Sequence, residues 1–397
     1  MLFSFTAIQM SFIAQGFLTF QLTGTATSLG LVGLGWGLAQ LPLSLVGGVA
    51  ADRLHKRWLI VFSQAAMALL ALATALLIQT GAIAVWQIFV MALIQGTVFS
   101  FNVPARQAWI PELVGQERLM NAVALNSAAF TSTGIAGPAL AGLLLAAPGV
   151  GLAEIYYLMA GCYVVVVLLL LRVPGGAPEA GREREHPIRA IADGLRYVRR
   201  HPVLPYLLVM GFVPIVLGMP YRTFFPVFQE RVYHVGEGWL GGMGAVMAVG
   251  ALAGSLGVAS LSDTSRRSLI QVAGGIGFGV TLIFFAAAPA LPLGLLALLF
   301  VGLTSNGYWA LNNTMVLGST APEYYGRVMS VYMLSWSLSP FAGLPESALA
   351  DALGVQTMVA GVGALLVVAL LAVVLLLPGH RRLREQEAAY LPAAQPR

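Results

Sequence analysis

Twelve apolar runs follow one another along the chain, each close to the twenty or so residues that a helix needs to cross a bilayer. They cover roughly residues 2–22, 29–51, 58–79, 82–103, 119–147, 150–172, 204–228, 238–261, 268–288, 291–316, 326–350 and 355–377. Hydrophobic residues make up 58% of the 397 and charged residues 9%, against about 25% charged in an ordinary soluble domain. In hydrocarbon each segment must satisfy its own backbone, and runs of this length do so as helices. The fold class read from the sequence is therefore an all-α membrane protein with twelve transmembrane helices in two six-helix bundles. A soluble enzyme is excluded, and the sequence holds neither His-Glu-x-x-His nor a pair of intramembrane aspartates, so an intramembrane enzyme is not expected either. The single Cys162 lies inside an apolar run and excludes an intrachain disulfide framework and a cysteine zinc cluster. No metal and no cofactor are expected. Met1 opens almost directly into an apolar run without a basic flank, so the sequence shows no cleavable signal pattern.

The charges orient the spans. Of the 21 basic residues, all arginine except Lys56, 19 fall after even-numbered spans or in the two long polar stretches, with Arg106 and Arg118 read as the loop after span 4. Arg231 lies in an opposite loop, and Arg222 is close by. The positive-inside rule then puts both termini in the cytoplasm. The net charge of +5 is read through this placement, not as a nucleic-acid signal.

The domain boundaries expected are 1–172 for an N-terminal six-helix bundle, 173–203 for a cytoplasmic linker, 204–378 for a C-terminal six-helix bundle and 379–397 for a cytoplasmic tail. In the linker, Ile188, Ile191, Leu195 and Val198 recur at helical spacing with arginines on other faces, which predicts an amphipathic helix at the membrane interface. The two halves repeat. Asp52 and Asp263, Gln95-Gly96 and Asn306-Gly307, Asn102 and Asn313, and Pro111-Glu112-x-x-Gly115 and Pro322-Glu323-x-x-Gly326 all share an offset of 211 residues. Spans 2–4 thus align with spans 8–10 without a gap.

The turn after span 2 reads Gly47-Gly48-Val49-Ala50-Ala51-Asp52-Arg53-Leu54-His55-Lys56-Arg57. A carboxylate at a membrane edge needs a donor or a helix N-terminus, and Arg53, Lys56 and Arg57 can anchor the turn at anionic headgroups. Gly48, Asp52, Arg53, Lys56 and Arg57 also fit the signature turn of the major facilitator superfamily, twelve-helix transporters that this chain resembles over almost its whole length. In the second half the turn is degraded, with Ala259 and Thr264 in place of Gly48 and Arg53, while Arg267 matches Lys56. Gly137, Pro138 and Gly142 partly match the kinked helix-5 element of facilitator antiporters. Pro104-Ala105-Arg106-Gln107, Pro111-Glu112-Leu113-Val114, Asn121 to Ser127, Thr23-Gly24-Thr25 and Gly326-Arg327-Val328-Met329-Ser330 are similar to the branch holding the enterobactin exporter and macrolide-efflux proteins.

The resemblance implies alternating-access export of a hydrophobic or amphipathic small molecule, a drug or siderophore-like metabolite, from a bacterial cytoplasmic membrane. It implies a latch of Gly48, Asp52, Arg53, Lys56 and Arg57 with Asp263, Arg267, Gly326 and Arg327. It also implies a substrate cavity between helices 1, 4, 7 and 10. Gln15 on span 1, Gln95, Phe99 and Asn102 on span 4, Asn126 on span 5, and Asn306, Trp309 and Asn313 on span 10 are the cavity residues expected, although such side chains also serve as packing between helices. Span 7 holds Pro205, Pro214, Pro220 and Pro226 and should be broken. Proton antiport stays open: Ala92 replaces the arginine that many proton-coupled exporters carry in helix 4, which leaves Glu346 as the group expected to couple protons, with Arg222 as a second candidate that the sequence does not place beside it or away from it. Met1 falls inside the region where relatives begin, which leaves open whether the start is truncated. The partners expected are a small-molecule substrate, membrane lipids and protons, with no nucleic acid and a monomeric state. A lipid or lysolipid flippase of the same fold and a non-transporting membrane sensor are the alternatives.

Overall fold

The computed structural model describes residues 2–173, 175, 187–260 and 267–389, and among them all regular structure is helical. The first six helices are α1 (Leu2–Thr23), α2 (Ala26–Arg53), α3 (Lys56–Gln79), α4 (Val85–Val114), α5 (Leu119–Ala146) and α6 (Leu152–Leu170). After α7 (Pro187–Arg200) come α8 (Leu204–Val232), α9 (Trp239–Ser260), α10 (Arg267–Ala287), α11 (Leu291–Gly318), α12 (Tyr325–Leu353), α13 (Val355–Leu376) and α14 (Gly379–Ala389). Twelve of these, α1–α6 and α8–α13, are the transmembrane helices. Nine of the twelve are both long and apolar enough to cross a membrane among the described residues. The other three, α2, α5 and α12, have 28, 28 and 29 residues, or about 42 Å at 1.5 Å per residue, more than the roughly 30 Å of a hydrocarbon core.

One helix departs from the sequence expectation in a way that matters. The apolar pattern ends span 4 at residue 103, before Pro104. Instead α4 runs 30 residues to Val114, with Pro104 and Pro111 both inside it. Each proline removes one backbone donor, a loss that helices in membrane bundles tolerate because neighbouring groups re-satisfy the freed carbonyls. Arg106, expected in a loop, therefore sits within the helix. The expectation for α8 is met. Its regular turns stop at Val213, and Pro214–Gly218, Met219–Phe224 and Phe228–Val232 wind alternately wider and tighter than an α-helix. Pro214, Pro220 and Pro226 account for the interruptions.

The chain forms two compact units. The first holds Met1–Pro187, Thr223–Ala245 and Gly343–Asp351; the second holds Ile188–Arg222, Val246–Ala342 and Ala352–Arg397. In the first, α1 packs on α5 and α6, α2 on α4, and α3 on α4 and α6. In the second, α10 packs on α11 and α13, and α11 on α8. Two close approaches tie these helices. Gly96 of α4 lies so near α2 that a Cβ would stand 2.5 Å from the Trp36 carbonyl oxygen, and a Cβ on Gly307, its counterpart 211 residues on, would stand 3.2 Å from the Gly254 carbonyl oxygen of α9. In the first unit, Gly142 of α5 meets Gly241 of α9 backbone to backbone, with 2.6 Å between a built Cβ and the Gly238 carbonyl oxygen.

The helix α7 is docked on protein. Tyr197 stacks on Tyr324 with ring centroids 4.0 Å apart, its hydroxyl accepts a bond from the Ala321 N–H at 3.2 Å, and Val198 is buried. Leu195 is 48% exposed, so this part of the apolar stripe is not covered by protein among the described residues. The side chains of Ile188 and Ile191 lie outside the described residues.

Candidate functional site

The turn between α2 and α3 is pinned within the first unit. Lys56, almost fully buried, pairs with Glu112 at 2.6 Å, and Arg57 donates to the Leu170 carbonyl at 3.1 Å and to that of Leu171. The basic residues thus clip α3 to the ends of α4 and α6. Arg53 is exposed and a Cβ on Gly48 would meet open space. The side chain of Asp52 and all of Asp263 lie outside the described residues. In the second unit Arg267 opens α10, Gly326 is exposed, and the Arg327 guanidinium lies 5.3 Å from the Tyr324 ring centroid. Of the helix-5 element, Gly137 packs against Gln9 and Thr6 of α1, while Pro138 and Gly142 face the start of α9.

The first unit contains a cleft between α1, α2, α3 and α4. Gln95, Phe99, Asn102 and Arg106 line it from α4, at i, i+4, i+7 and i+11 on one helical face, with Trp36 and Gln64 opposite. Phe99 and Trp36 pack with centroids 5.2 Å apart. Arg106 is only 8% exposed; its Nε donates to Asn102 Oδ1 at 2.8 Å and its Nη2 to Ser4 Oγ at 2.9 Å. Gln15 of α1 is buried and donates to the Ile88 carbonyl at 3.4 Å, so it joins α1 to α4. Asn126 of α5 keeps a buried Oδ1 with no partner.

In the second unit, Asn312 is fully buried between Gln271, whose Nε2 donates to its Oδ1 at 2.5 Å, and Tyr332, whose hydroxyl accepts from its Nδ2 at 2.8 Å. Trp309 packs on Tyr332 and on Trp336, both at 5.0 Å between centroids. Asn306 and Asn313 are half-buried, and Asn313 Oδ1 has no partner. Ser305, Tyr308 and Trp309 line a small pocket with Pro214 and Phe278.

A carboxylate caps α2. Asp351 lies in the last turn of α12, past the end of the apolar run at 326–350 and so outside the membrane-spanning segment. It accepts bonds from the Ala26 N–H at 2.9 Å, the Thr27 N–H at 2.7 Å and the Thr27 hydroxyl at 2.7 Å. Arg231 stands 3.8 Å away and also donates to the Gly24 carbonyl. Desolvation works to raise this carboxyl, but the bonds from Thr27 and Ala26 and the Arg231 charge together hold it below its ordinary value. Glu346, five residues earlier, is 7% exposed with an unpartnered Oε1, so it does not reach water as its place near the end of span 11 allowed. Arg222 is exposed in the second unit, its guanidinium 5.9 Å from the Tyr221 ring centroid.

Sequence reasoning missed Arg106, Gln64, Gln271 and Asn312. Extending the α4 face by one more turn would have reached Arg106. Nothing in the sequence separates Asn312 from its neighbour Asn313.

Comparison with known proteins places this architecture. The family model described as Major Facilitator Superfamily matches residues 1–344 and again 243–395. The multidrug efflux pump Tap of Mycolicibacterium fortuitum is 29% identical over 359 residues, covering 87% of this chain and 86% of Tap. The enterobactin exporter EntS of Shigella boydii is 27% identical over 322 residues, 81% of this chain and 73% of that protein. Among solved structures, a point mutant of the nucleoside transporter NupG superposes with a TM-score of 0.74 at 14% identity, covering 94% of this chain and 97% of NupG. A bacterial homologue of the human lysosomal transporter Spinster, inward-facing and unoccupied, gives 0.70 at 13% identity, covering 99% and 98%. At those identities the solved structures speak to the fold alone.

Proposed function

This chain belongs to the Major Facilitator Superfamily, and we propose that it is an alternating-access exporter of a hydrophobic or amphipathic small molecule. The observation that carries the reading is the match to two relatives named as efflux or export proteins, each along more than 80% of this chain. The cleft chemistry agrees. Aromatic rings at Trp36 and Phe99 offer apolar contact and the amides of Gln64, Gln95 and Asn102 offer bonds of either polarity, the mixture that suits amphipathic ligands. In this reading Gln15 and Asn126 serve the substrate from the first unit, and Asn306, Trp309 and Asn313 serve it from the second. The turn around Asp52 in the first unit, and Asp263, Arg267, Gly326 and Arg327 in the second, are the residues assigned to a conformational latch, and Gly137, Pro138 and Gly142 let α5 follow the change. The protein sits in a bacterial cytoplasmic membrane with both termini inside.

Glu346 is the group we assign to proton coupling. It is buried, and one carboxyl oxygen lacks a hydrogen-bond partner. Coupling requires its protonation to bias one conformation. The test is uptake of a lipophilic dye by inside-out vesicles carrying the protein, with and without a pH gradient. Uptake above that of empty vesicles is expected, enhanced by an acidic interior. Glu346→Gln should abolish the enhancement while sparing dye exchange at equilibrium. Absence of uptake overturns the exporter reading; normal enhancement in the variant removes Glu346 from the coupling.

A further inference from the structure

A permanent positive charge is buried in the cleft of the first unit without a counter-ion. Arg106 keeps its charge at any physiological pH, and it is 8% exposed well inside α4. Its two hydrogen bonds go to the neutral oxygens of Asn102 and Ser4. Among the described residues no carboxylate forms an ion pair with it. Its guanidinium also lies 5.5 Å from the Phe5 ring centroid. Leaving a charge so placed is costly, and a buried polar group left without its natural partner calls for an explanation.

The groups around it are unsatisfied as well. Among the described residues, Gln64 Oε1, Gln95 Oε1 and Asn102 Nδ2 are buried without hydrogen-bond partners. All three residues line the same cleft as Arg106. Native proteins leave few such atoms, and four residues with unused polar capacity around one cleft, three on α4 and one on α3, form a set that a ligand would complete. An amide can turn to present either its oxygen or its NH2 group, so the glutamines can serve as donors. The guanidinium has five N–H donors and two are in use, which leaves a fork that fits a carboxylate or a related planar anion. The cavity is about 20 Å³, enough for one water or a single functional group and far below the several hundred Å³ of a whole drug-sized site.

We propose that Arg106, with Gln64, Gln95 and Asn102, forms an anion-binding subsite, and that the cargo is an organic anion with an apolar body. The acidic group enters the Arg106 corner, and its body lies against Trp36 and Phe99 further along the α4 face. This rests on the exporter reading for its purpose, but its test is one of binding.

The test compares two probes with the same aromatic body, 1-pyrenebutyrate and the neutral 1-pyrenebutanol, binding to the purified protein in nanodiscs, read by quenching of tryptophan emission. The natural sequence should bind the anion at least tenfold more tightly. Arg106→Gln should bring the two probes to within about twofold of each other, leaving the alcohol unchanged, and Arg106→Lys should keep part of the preference because it keeps the charge but not the fork. Equal binding of the two probes by the natural sequence, or binding of neither, overturns the proposal without any variant. So does an anion preference that survives Arg106→Gln. Should dye uptake fail while the Arg106-dependent preference holds, the exporter reading falls and the anion subsite stands. Should uptake occur without that preference, the exporter reading stands and the anion subsite falls.

Discussion

Gly142→Ala adds one methyl group where α5 and α9 touch backbone to backbone. The built Cβ falls 2.6 Å from the Gly238 carbonyl oxygen and closer still to Gly241 Cα, where comfortable contact is about 3.5 Å. The neighbouring atoms are backbone, so no side chain can swing aside and the helices must part by about 1 Å. Forced methylenes in packed interiors cost about 1–3 kcal/mol. Working against this, alanine is favoured over glycine in a helix by up to about 1 kcal/mol, so the net loss is about 0–2 kcal/mol, and a single variant could mislead. Gly161→Ala supplies the reference. It lies within α6, a built Cβ there meets nothing within 4 Å, and it is exposed, so it gains the helix term without the clash. Thermal unfolding of both purified variants in the same detergent should leave Gly161→Ala at or above the natural sequence and Gly142→Ala below Gly161→Ala by about 1–3 kcal/mol. Equal stabilities would refute the reasoning, because they would mean that the seam opens freely.

Glu112→Ala strands the buried Lys56 ammonium. It should cost about 3 kcal/mol, the lower end for breaking a buried pair since Glu112 keeps some water contact, whereas the double change Lys56→Met with Glu112→Leu should cost less than Glu112→Ala alone in the same thermal assay. Asp351 is held below its ordinary value, so its stabilisation is present in full above the unfolded carboxyl value of about 4 and is lost as pH falls through the lower folded value. Melting temperatures of the natural protein and Asp351→Asn, measured from pH 6 downward, should therefore differ above about pH 4 and converge below it; a constant gap would show that the carboxylate charge is not what matters. Asp52→Asn, if the latch reading holds, should slow dye transport more than it weakens dye binding, and a collapse of binding with unchanged spin-label distances between α2 and α12 would sink it.

How much of this was legible depended on range. The spans could be read because hydropathy is a local property, and the breaks in α8 because proline acts on its own turn. The end of α4 could not, since Pro104 stops a helix in water but not in a bundle whose neighbours re-satisfy the backbone. That single boundary hid Arg106 among the loop charges. The cleft face of Gln95, Phe99 and Asn102 followed from helical spacing, while the choice between Asn312 and Asn313 turned on where Gln271 and Tyr332 stand, which no spacing within α11 contains. The Asp351 cap joins residues 325 and 324 positions apart, and neither a lone aspartate nor Thr25-Ala26-Thr27 announces the other.

The glycine contacts and the cleft differ in how freely they can change over evolutionary time. Where Gly142 meets Gly241, and where Gly96 meets the Trp36 carbonyl, no side chain separates the backbones, so almost every substitution is a substitution for the worse. On the cleft wall, Gln64 and Gln95 have polar atoms that hold nothing in place, and exchanging them moves no helix. Cargo preference can therefore wander through single changes on the facing sides of α3 and α4 while the helix seams stay as they are. Relatives could share the seams and differ in what they carry.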